Sequence, residues 1–134
     1  MTTSHTVQQT AGVAPVTTTE TVILTINIPS ENQPLGSDGI YLSGTVGGTA
    51  GAGTTAVGIR IRQGTVTGAV VGNVYTEPVT ASALFTIGFD VLDPTTSYPA
   101  GNTYVVTATQ TGATGNGSGF VGCVTSTPST PLTG

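Results

Sequence analysis

Short runs in which apolar residues recur at every second position limit the folds open to this chain most strongly. In residues 20–28, the side chains of Val22, Leu24, Ile26 and Ile28 fall on one face. Alternation of this kind is typical of a half-buried β-strand, since successive side chains of a strand point to opposite faces. The same pattern recurs in residues 38–46, 55–63, 70–75, 84–91, 102–110 and 117–125.

Glycine, proline and asparagine separate these runs, as in SENQPLGSDG, GGTAGAGT, QGTVTG, DPTTSYPAGN and GATGNGSG. Such residues mark turns, and no stretch of useful length has the period of an amphipathic helix. We therefore predict an all-β, single-domain antiparallel β-sandwich of seven strands, or eight if a short strand forms near residues 6–9. A jelly roll is the favoured topology, although the period does not distinguish it from an immunoglobulin-like sandwich.

The two ends of the chain differ in composition from its centre. Residues 1–18 are polar and rich in threonine and glutamine, and residues 125–134 carry two prolines. We expect an extended N-terminal arm over 1–18, a β-sandwich domain over 19–124 and an extended tail over 125–134. The start lacks the basic and apolar regions of a secretory signal, and no apolar run is long enough to span a bilayer, so we expect synthesis in a cytoplasm.

Charge is unusually sparse in this sequence. Charged residues make up 6% of 134 residues, the net charge is −4, and there is no lysine. Nucleic-acid binding requires many cations to neutralise phosphates, so two arginines make it an unlikely function for this chain. The same shortage of cations argues against binding to an anionic membrane surface. Sheet faces built from threonine, serine and glycine carry little charge repulsion, so they can pack closely against copies of themselves.

Residues that carry out catalysis or bind metals are also few. His5 is the single histidine and lies in the predicted arm, and Cys123 is the single cysteine, so no disulfide can form within the chain. We interpret Cys123 as a small strand residue, since no neighbouring base would activate its thiol. We expect no catalytic residue, no cofactor and no metal.

Three aspartates leave two alternatives open. Asp90 and Asp93 could act as an acid–base pair of the kind that hydrolyses glycosides, and with Asp38 they could supply oxygens to calcium. We favour a simpler interpretation, in which Asp90 lies on the outward face of a strand and Asp93, before Pro94, starts a turn. The glycine runs GGTAGAG and TGATGNGSG are interpreted as loops, because neither ends in the lysine of a phosphate-binding loop.

Arg60 and Arg62 are the only fixed cations, and their spacing places them on one face of one strand, about 7 Å apart. In one interpretation they pair with outward acids of neighbouring strands such as Glu77 or Asp90. In the other they contact a partner, either another subunit or a capsid protein. They are the candidate partner-contact residues of this chain.

The stretch TAGAGTTAVGIRIRQGT, followed by GAVVGN and later by YVVTATQTGATGNGSG, resembles small Thr/Gly-rich β-sandwich structural proteins of tailed bacteriophages. The likeness covers roughly residues 20–124. It implies a virion structural protein, and the size and fold suggest a capsid decoration (cement) protein, one that binds the outside of an assembled viral shell. No set of functional residues comes with this resemblance.

If the resemblance holds, the implied partners are copies of the chain, expected as a trimer, and the major capsid protein on the capsid exterior. The two ends of the chain would then lie over neighbouring subunits. A tail-fibre or minor-tail β-module is an alternative. A monomeric carbohydrate-binding module is another, and it would stack sugars on Tyr41, Tyr75 and Tyr98. An enzyme is the least favoured alternative, because no catalytic constellation is apparent.

Overall fold

A computed structural model describes residues 5–8, 18–28, 40–93 and 102–128. The described part contains eight β-strands: β1 His5–Gln8, β2 Thr21–Ile28, β3 Ile40–Thr49, β4 Ala56–Gln63, β5 Val70–Pro78, β6 Leu84–Asp93, β7 Asn102–Thr111 and β8 Ser118–Pro128. Each alternating run of the sequence forms one of them. The predicted all-β fold is therefore confirmed, with the larger of the two predicted strand numbers.

The strands form two antiparallel four-stranded sheets. The first sheet has the order β1-β8-β3-β6 and the second sheet has the order β2-β7-β4-β5. Only the β4–β5 connection stays within one sheet, and every other connection crosses to the opposite sheet. An immunoglobulin-like sandwich keeps several hairpins within its sheets, whereas this order is that of a jelly roll. The favoured topology is thus confirmed.

The core lies between the inner faces of the two sheets, where the alternating apolar residues meet. Val57, Ile59 and Ile61 of β4 are fully buried, and so are Tyr104 and Val106 of the neighbouring β7. Side chains at the intervening positions reach the outer faces. Removing apolar surface from water stabilises a fold by about 25 cal/mol per Å². The apolar side chains that the alternation directs inward therefore make the main contribution to the stability of the sandwich.

Both ends of the described chain take part in the first sheet. β1 pairs with β8 from His5 opposite Ser126 to Gln8 opposite Cys123, and β8 continues to Pro128. β1 thus lies inside the range 1–18 expected as an arm, and β8 passes the expected boundary at residue 124. A role for the terminal segments as arms on neighbouring subunits stays a prediction.

Candidate partner-contact surface

Arg60 and Arg62 lie on the outer face of the second sheet, as the alternation of β4 predicted. Their neighbours Ile59 and Ile61 are buried, while both arginines are half-buried. Both guanidinium groups are directed to the same carboxylate, that of Glu20. We call Glu20, Arg60, Arg62 and Thr107 the arginine cluster.

Arg62 holds Glu20 through two hydrogen bonds. Its Nε donates to Oε2 of Glu20 over 2.6 Å and its Nη2 donates to Oε1 over 2.9 Å. Its Nη1 donates to the backbone oxygen of Gly68 over 2.8 Å, and the hydroxyl of buried Thr107 donates to Oε2 of Glu20. This bidentate geometry is the strong form of an arginine–carboxylate pair.

The strand order explains why Glu20 is the acid of this cluster. Glu20 precedes β2, and β7 with Thr107 lies between β2 and β4, so Glu20 reaches both arginines diagonally across one strand. The partners that the sequence suggested, Glu77 and Asp90, are wrong. Glu77 lies opposite Val57 at the far end of β4, and Asp90 belongs to the other sheet.

The ionisation of Glu20 follows from these contacts. The hydrogen bond from Arg62 lowers the pKa of Glu20 below its ordinary value, against partial burial, which opposes ionisation. The hydrogen bond from Thr107 and the charges of Arg62 and Arg60 lower this pKa further. The same contact with Glu20 raises the pKa of Arg62. The cluster therefore carries two positive charges and one negative charge at neutral pH.

Arg60 makes fewer and longer contacts within the cluster than Arg62 does. Its Nη1 lies 3.6 Å from Oε1 of Glu20 and donates one longer hydrogen bond, of 3.3 Å, to the hydroxyl of Thr109. Its side chain is 30% exposed, against 19% for Arg62. Guanidinium donors beyond these contacts remain available on Arg60, so the excess positive charge of the cluster can reach a partner there.

The aspartates do not form a catalytic pair. Asp90 is exposed on the outer face of the first sheet, as expected, but Asp93 is 2% exposed and is not a solvated turn residue. Its Oδ2 accepts hydrogen bonds from the hydroxyl of Tyr104 over 2.6 Å and from Nε2 of Gln63 over 3.2 Å. Asp93 occupies the next inward position after Phe89 and Val91, so its side chain points into the sandwich.

No group of three His, Cys, Asp or Glu side chains within the described ranges is arranged to hold a metal ion. Asp38, the third acid of the calcium alternative, lies outside those ranges, as does Tyr98. Of the other two tyrosines proposed for sugar stacking, Tyr41 is 45% exposed. Tyr75 is half-buried, and its hydroxyl is bound to the backbone of Asp90. In the part of the chain that is described, no helix could cross a membrane.

The two glycine runs contribute to the β3–β4 loop and the β7–β8 loop, which pack against each other. The backbone N–H of Thr114, between β7 and β8, donates to the oxygen of Ala52, between β3 and β4, over 2.7 Å. A Cβ on Gly51 would lie 2.2 Å from the oxygen of Gly115, which explains a glycine at this point of contact. The interpretation of these runs as loops agrees with the structure for residues 50–53 and 112–117, whereas 47–49 belong to β3, 111 to β7 and 118–119 to β8.

A buried glutamine, Gln110, joins the same two loops, and the sequence interpretation had not singled it out. Its Oε1 accepts a 2.7 Å hydrogen bond from the N–H of Gly51 and a 3.3 Å one from the hydroxyl of Thr54, and its Nε2 donates to Gly115. Alternation in β7 was the available signal, because Gln110 continues the inward series of Tyr104, Val106 and Ala108.

Cys123 lies on β8 opposite Thr45 of β3, as a half-buried free thiol on the outer face of the first sheet. This agrees with its interpretation as a strand residue. His5 is the first residue of β1. β1 and β8 are neighbours with Gln8 opposite Cys123, so His5 and the cysteine lie at different positions along the pair.

Several solved structures are similar to this chain in fold. A protein in the structure of infectious bursal disease virus, Gx strain, aligns with a TM-score of 0.61 and 12% identity over 95% of this chain and 32% of that one. The VP2 subviral particle of the same virus aligns with a TM-score of 0.59 and 12% identity, over 94% and 32%. This chain therefore spans about a third of these viral capsid proteins.

A pilus protein of Bacillus endospore appendages has 22% identity over 92% of this chain and 88% of its own, but its TM-score of 0.44 is too low to show a shared fold. No protein-family model matches the sequence. No curated protein is significantly similar to it in sequence. The similarity to the viral proteins establishes that the chain has the β-sandwich fold of viral capsid proteins.

Proposed function

We propose that this protein is a non-enzymatic structural protein of a virion, and most specifically a capsid decoration protein that binds the outside of a phage head. The observation that carries the proposal is an eight-stranded jelly roll shared with viral capsid proteins, combined with an outer face of the first sheet on which Asp90 is the one charged residue among the described side chains of β3, β6 and β8. The tailed-phage origin rests on the Thr/Gly-rich sequence pattern.

The outer face of the first sheet shows the kind of surface that the proposal requires. Its exposed positions on β3 and β6 include the hydroxyl residues Ser43, Thr45 and Thr86 and the apolar Tyr41 and Leu92, which lie side by side, and they carry one charged residue, Asp90. Surfaces that pack by shape, with little charge to desolvate, suit contacts repeated many times by symmetry. Each contact can be weak when several subunits bind together.

Arg60 is the partner-contact residue in this proposal, with Arg62 holding Glu20 in place beneath it. The partners are a neighbouring copy, in an oligomer expected to be a trimer, and the major capsid protein. Replacement of Arg60 by Glu should weaken retention on capsids, while replacement of exposed Thr76, on β5 of the same sheet face, by Glu is the matched control for added negative charge. Equal retention of wild type and Arg60→Glu would remove Arg60 from the contact.

Co-sedimentation with the heads of the virus that encodes the chain tests the function itself. We expect the purified protein to bind intact heads saturably and to raise the temperature at which they rupture. Absence of binding to heads, together with binding to tail fibres or to an immobilised glycan, would replace the decoration role by a tail module or by a carbohydrate-binding module.

A further inference from the structure

Within the described residues, the outer edge of β6 has backbone groups that no other strand pairs with. β6 is the last strand of the first sheet. The hydroxyl of Tyr75 bonds the backbone oxygen of Asp90 and accepts its N–H over 3.3 Å, so both groups of Asp90 point away from β3. Because backbone groups alternate between the two edges of a strand, those of Leu84, Thr86 and Gly88 point to the same free edge.

A cleft of about 410 Å³ opens beside this edge, between the end of β5 and the start of β6. Its apolar lining comes from Val79, Phe85 and Ile87, and Glu77 lies at its rim. Leu84, at the mouth, is 84% exposed, the highest value among the exposed large apolar residues. An extended chain would satisfy the edge and place a side chain in this cleft.

Among the described residues, the Leu84–Gly88 half of β6 lacks the features that protect natural edge strands. It contains no charged residue and no proline, and its pairing with β3 shows no register shift, whereas the other half carries Asp90 and the inward-pointing Asp93. Edge strands of this kind act as templates for another strand unless a charge, a bulge or a cover blocks them. Tyr75 covers the edge at Asp90, which leaves the half from Leu84 to Gly88 accessible.

We infer that the Leu84–Gly88 edge of β6 binds an edge strand of a second copy of this chain, in a head-to-tail contact. The second sheet ends in β2 and β5, and β5 lies beside β6, so β2 is the edge on the opposite side of the sandwich. None of the eight residues of β2 is charged, and β2 starts next to the arginine cluster, which carries a net positive charge. The β6 edge is flanked instead by two acids, Glu77 and Asp90.

These opposite charges favour a second copy over an unrelated strand, and a head-to-tail contact closes into a ring or continues as a filament. The inference deepens the proposed function, because it names the surface through which copies associate. It does not specify how the protein binds the capsid protein, so self-association and capsid binding can be tested separately.

Thr86→Pro tests the edge, with Thr86→Val as the matched control. Proline removes one outward N–H and is tolerated on edge strands, while valine keeps that N–H and the branched shape. Molar mass by light scattering over a concentration series should show self-association of the wild type and of Thr86→Val, and at least about tenfold weaker association of Thr86→Pro. Association of a folded Thr86→Pro protein at wild-type strength would overturn the inference.

A second pair of variants keeps the test decisive if the proline variant fails to fold. Thr86→Lys adds a charge at the edge, and Thr45→Lys adds the same charge on the same outer face, one strand inward. We expect only Thr86→Lys to weaken association. Equal weakening by both variants would assign the contact to the sheet face, and a wild type that stays monomeric at every concentration would also overturn the inference. Binding of that monomer to heads would still support the decoration role.

Discussion

The arrangement of the arginine cluster depends on one side chain, that of Glu20. It accepts two hydrogen bonds from Arg62 and one from Thr107, and it lies within ion-pair distance of Arg60. Exposed ion pairs contribute little to stability, but this pair is bidentate and its side chains are less than one-fifth exposed. The residue therefore positions both arginines and contributes to the free energy of unfolding.

Glu20→Gln should lower the free energy of unfolding by about 1–2 kcal/mol at pH 7, because it removes the charge that two charge-assisted hydrogen bonds require. Urea unfolding measures the change. Glu77→Gln, at the exposed rim of the cleft, is the control and should stay within about 0.5 kcal/mol of wild type. Equal losses of unfolding free energy in both variants would show that Glu20 contributes no more to stability than an exposed surface carboxylate does.

The difference in stability between wild type and Glu20→Gln should depend on pH, because the pKa of Glu20 is lowered in the folded state. A carboxyl whose pKa is lower in the folded state stabilises the fold above its ordinary, unfolded pKa, which is about 4.3 for glutamate. This contribution is lost as the pH falls below that value and through the folded pKa.

We therefore expect the stability gap between wild type and Glu20→Gln to be constant from pH 7 to about 5 and to narrow on further acidification. Urea midpoints of both proteins across this range measure it. A gap that persists unchanged to about pH 2 would contradict the assigned cause.

At the scale of elements, the two glycine-rich loops stabilise one end of the sandwich, whereas the β6 edge is the surface proposed for self-association. The β3–β4 and β7–β8 loops are held together by backbone hydrogen bonds and by buried Gln110, so they close one end of the sandwich. The β6 edge has no such cover between Leu84 and Gly88 within the described structure. Self-association through β6 would therefore leave the loops unchanged.

Gly51→Ala should destabilise the protein by about 2 kcal/mol, because the new Cβ would collide with the backbone oxygen of Gly115. Gly58→Ala is the matched control. Gly58 is also buried, but a Cβ there meets nothing closer than 3.7 Å, so we expect no loss of stability. Thermal unfolding measures both, and a Gly51→Ala protein as stable as Gly58→Ala would contradict the packing of the two loops.

Leu84→Ser should leave the stability of the monomer nearly unchanged, since an 84% exposed leucine buries little surface in the isolated chain. It should weaken self-association if this side chain enters a neighbouring copy. Leu92→Ser, on the same face beyond the position capped by Tyr75, is the control. Light scattering measures association and urea unfolding measures stability, and an unchanged Leu84→Ser oligomer would exclude this side chain from the contact.

At the scale of the whole molecule, the residues that stabilise the fold differ from the surface proposed for association. The fold is stabilised by the apolar residues between the sheets, while the outside is dominated by threonine, serine and glycine. A molecule of this kind has few charges to keep copies apart. Its fold accounts for about a third of the length of the viral capsid proteins that share it, which fits a single structural module.

The purified chain should have the molar mass of a closed oligomer, and a trimer is expected. Size-exclusion chromatography with light scattering, at several concentrations, measures it. A mass that increases steadily with concentration would indicate an open head-to-tail filament. A constant monomer mass would contradict self-association in solution and would direct the next experiment to a glycan array.

The sequence by itself determined the strands and most of the buried sides, because period-two alternation is a local property of the chain. The exception is the start of β2, where a register shift between Val22 and Leu24 buries Ile23. The prediction for Asp93 was wrong, because an acid before a proline suggested a turn, and Gln110 was not predicted to be buried, although both continue an inward series of their strands. The two arginines were placed correctly on an outer face.

Only the tertiary structure decided which residues meet across the sheets. Glu20 became the partner of Arg60 and Arg62 because β7 separates β2 from β4, and nothing local in the sequence encodes that strand order. The contact between the two glycine loops and the free edge of β6 follow from the same order. Strand pairing depends on contacts between residues far apart in the chain, and alternation identifies the faces of a strand without identifying its neighbours.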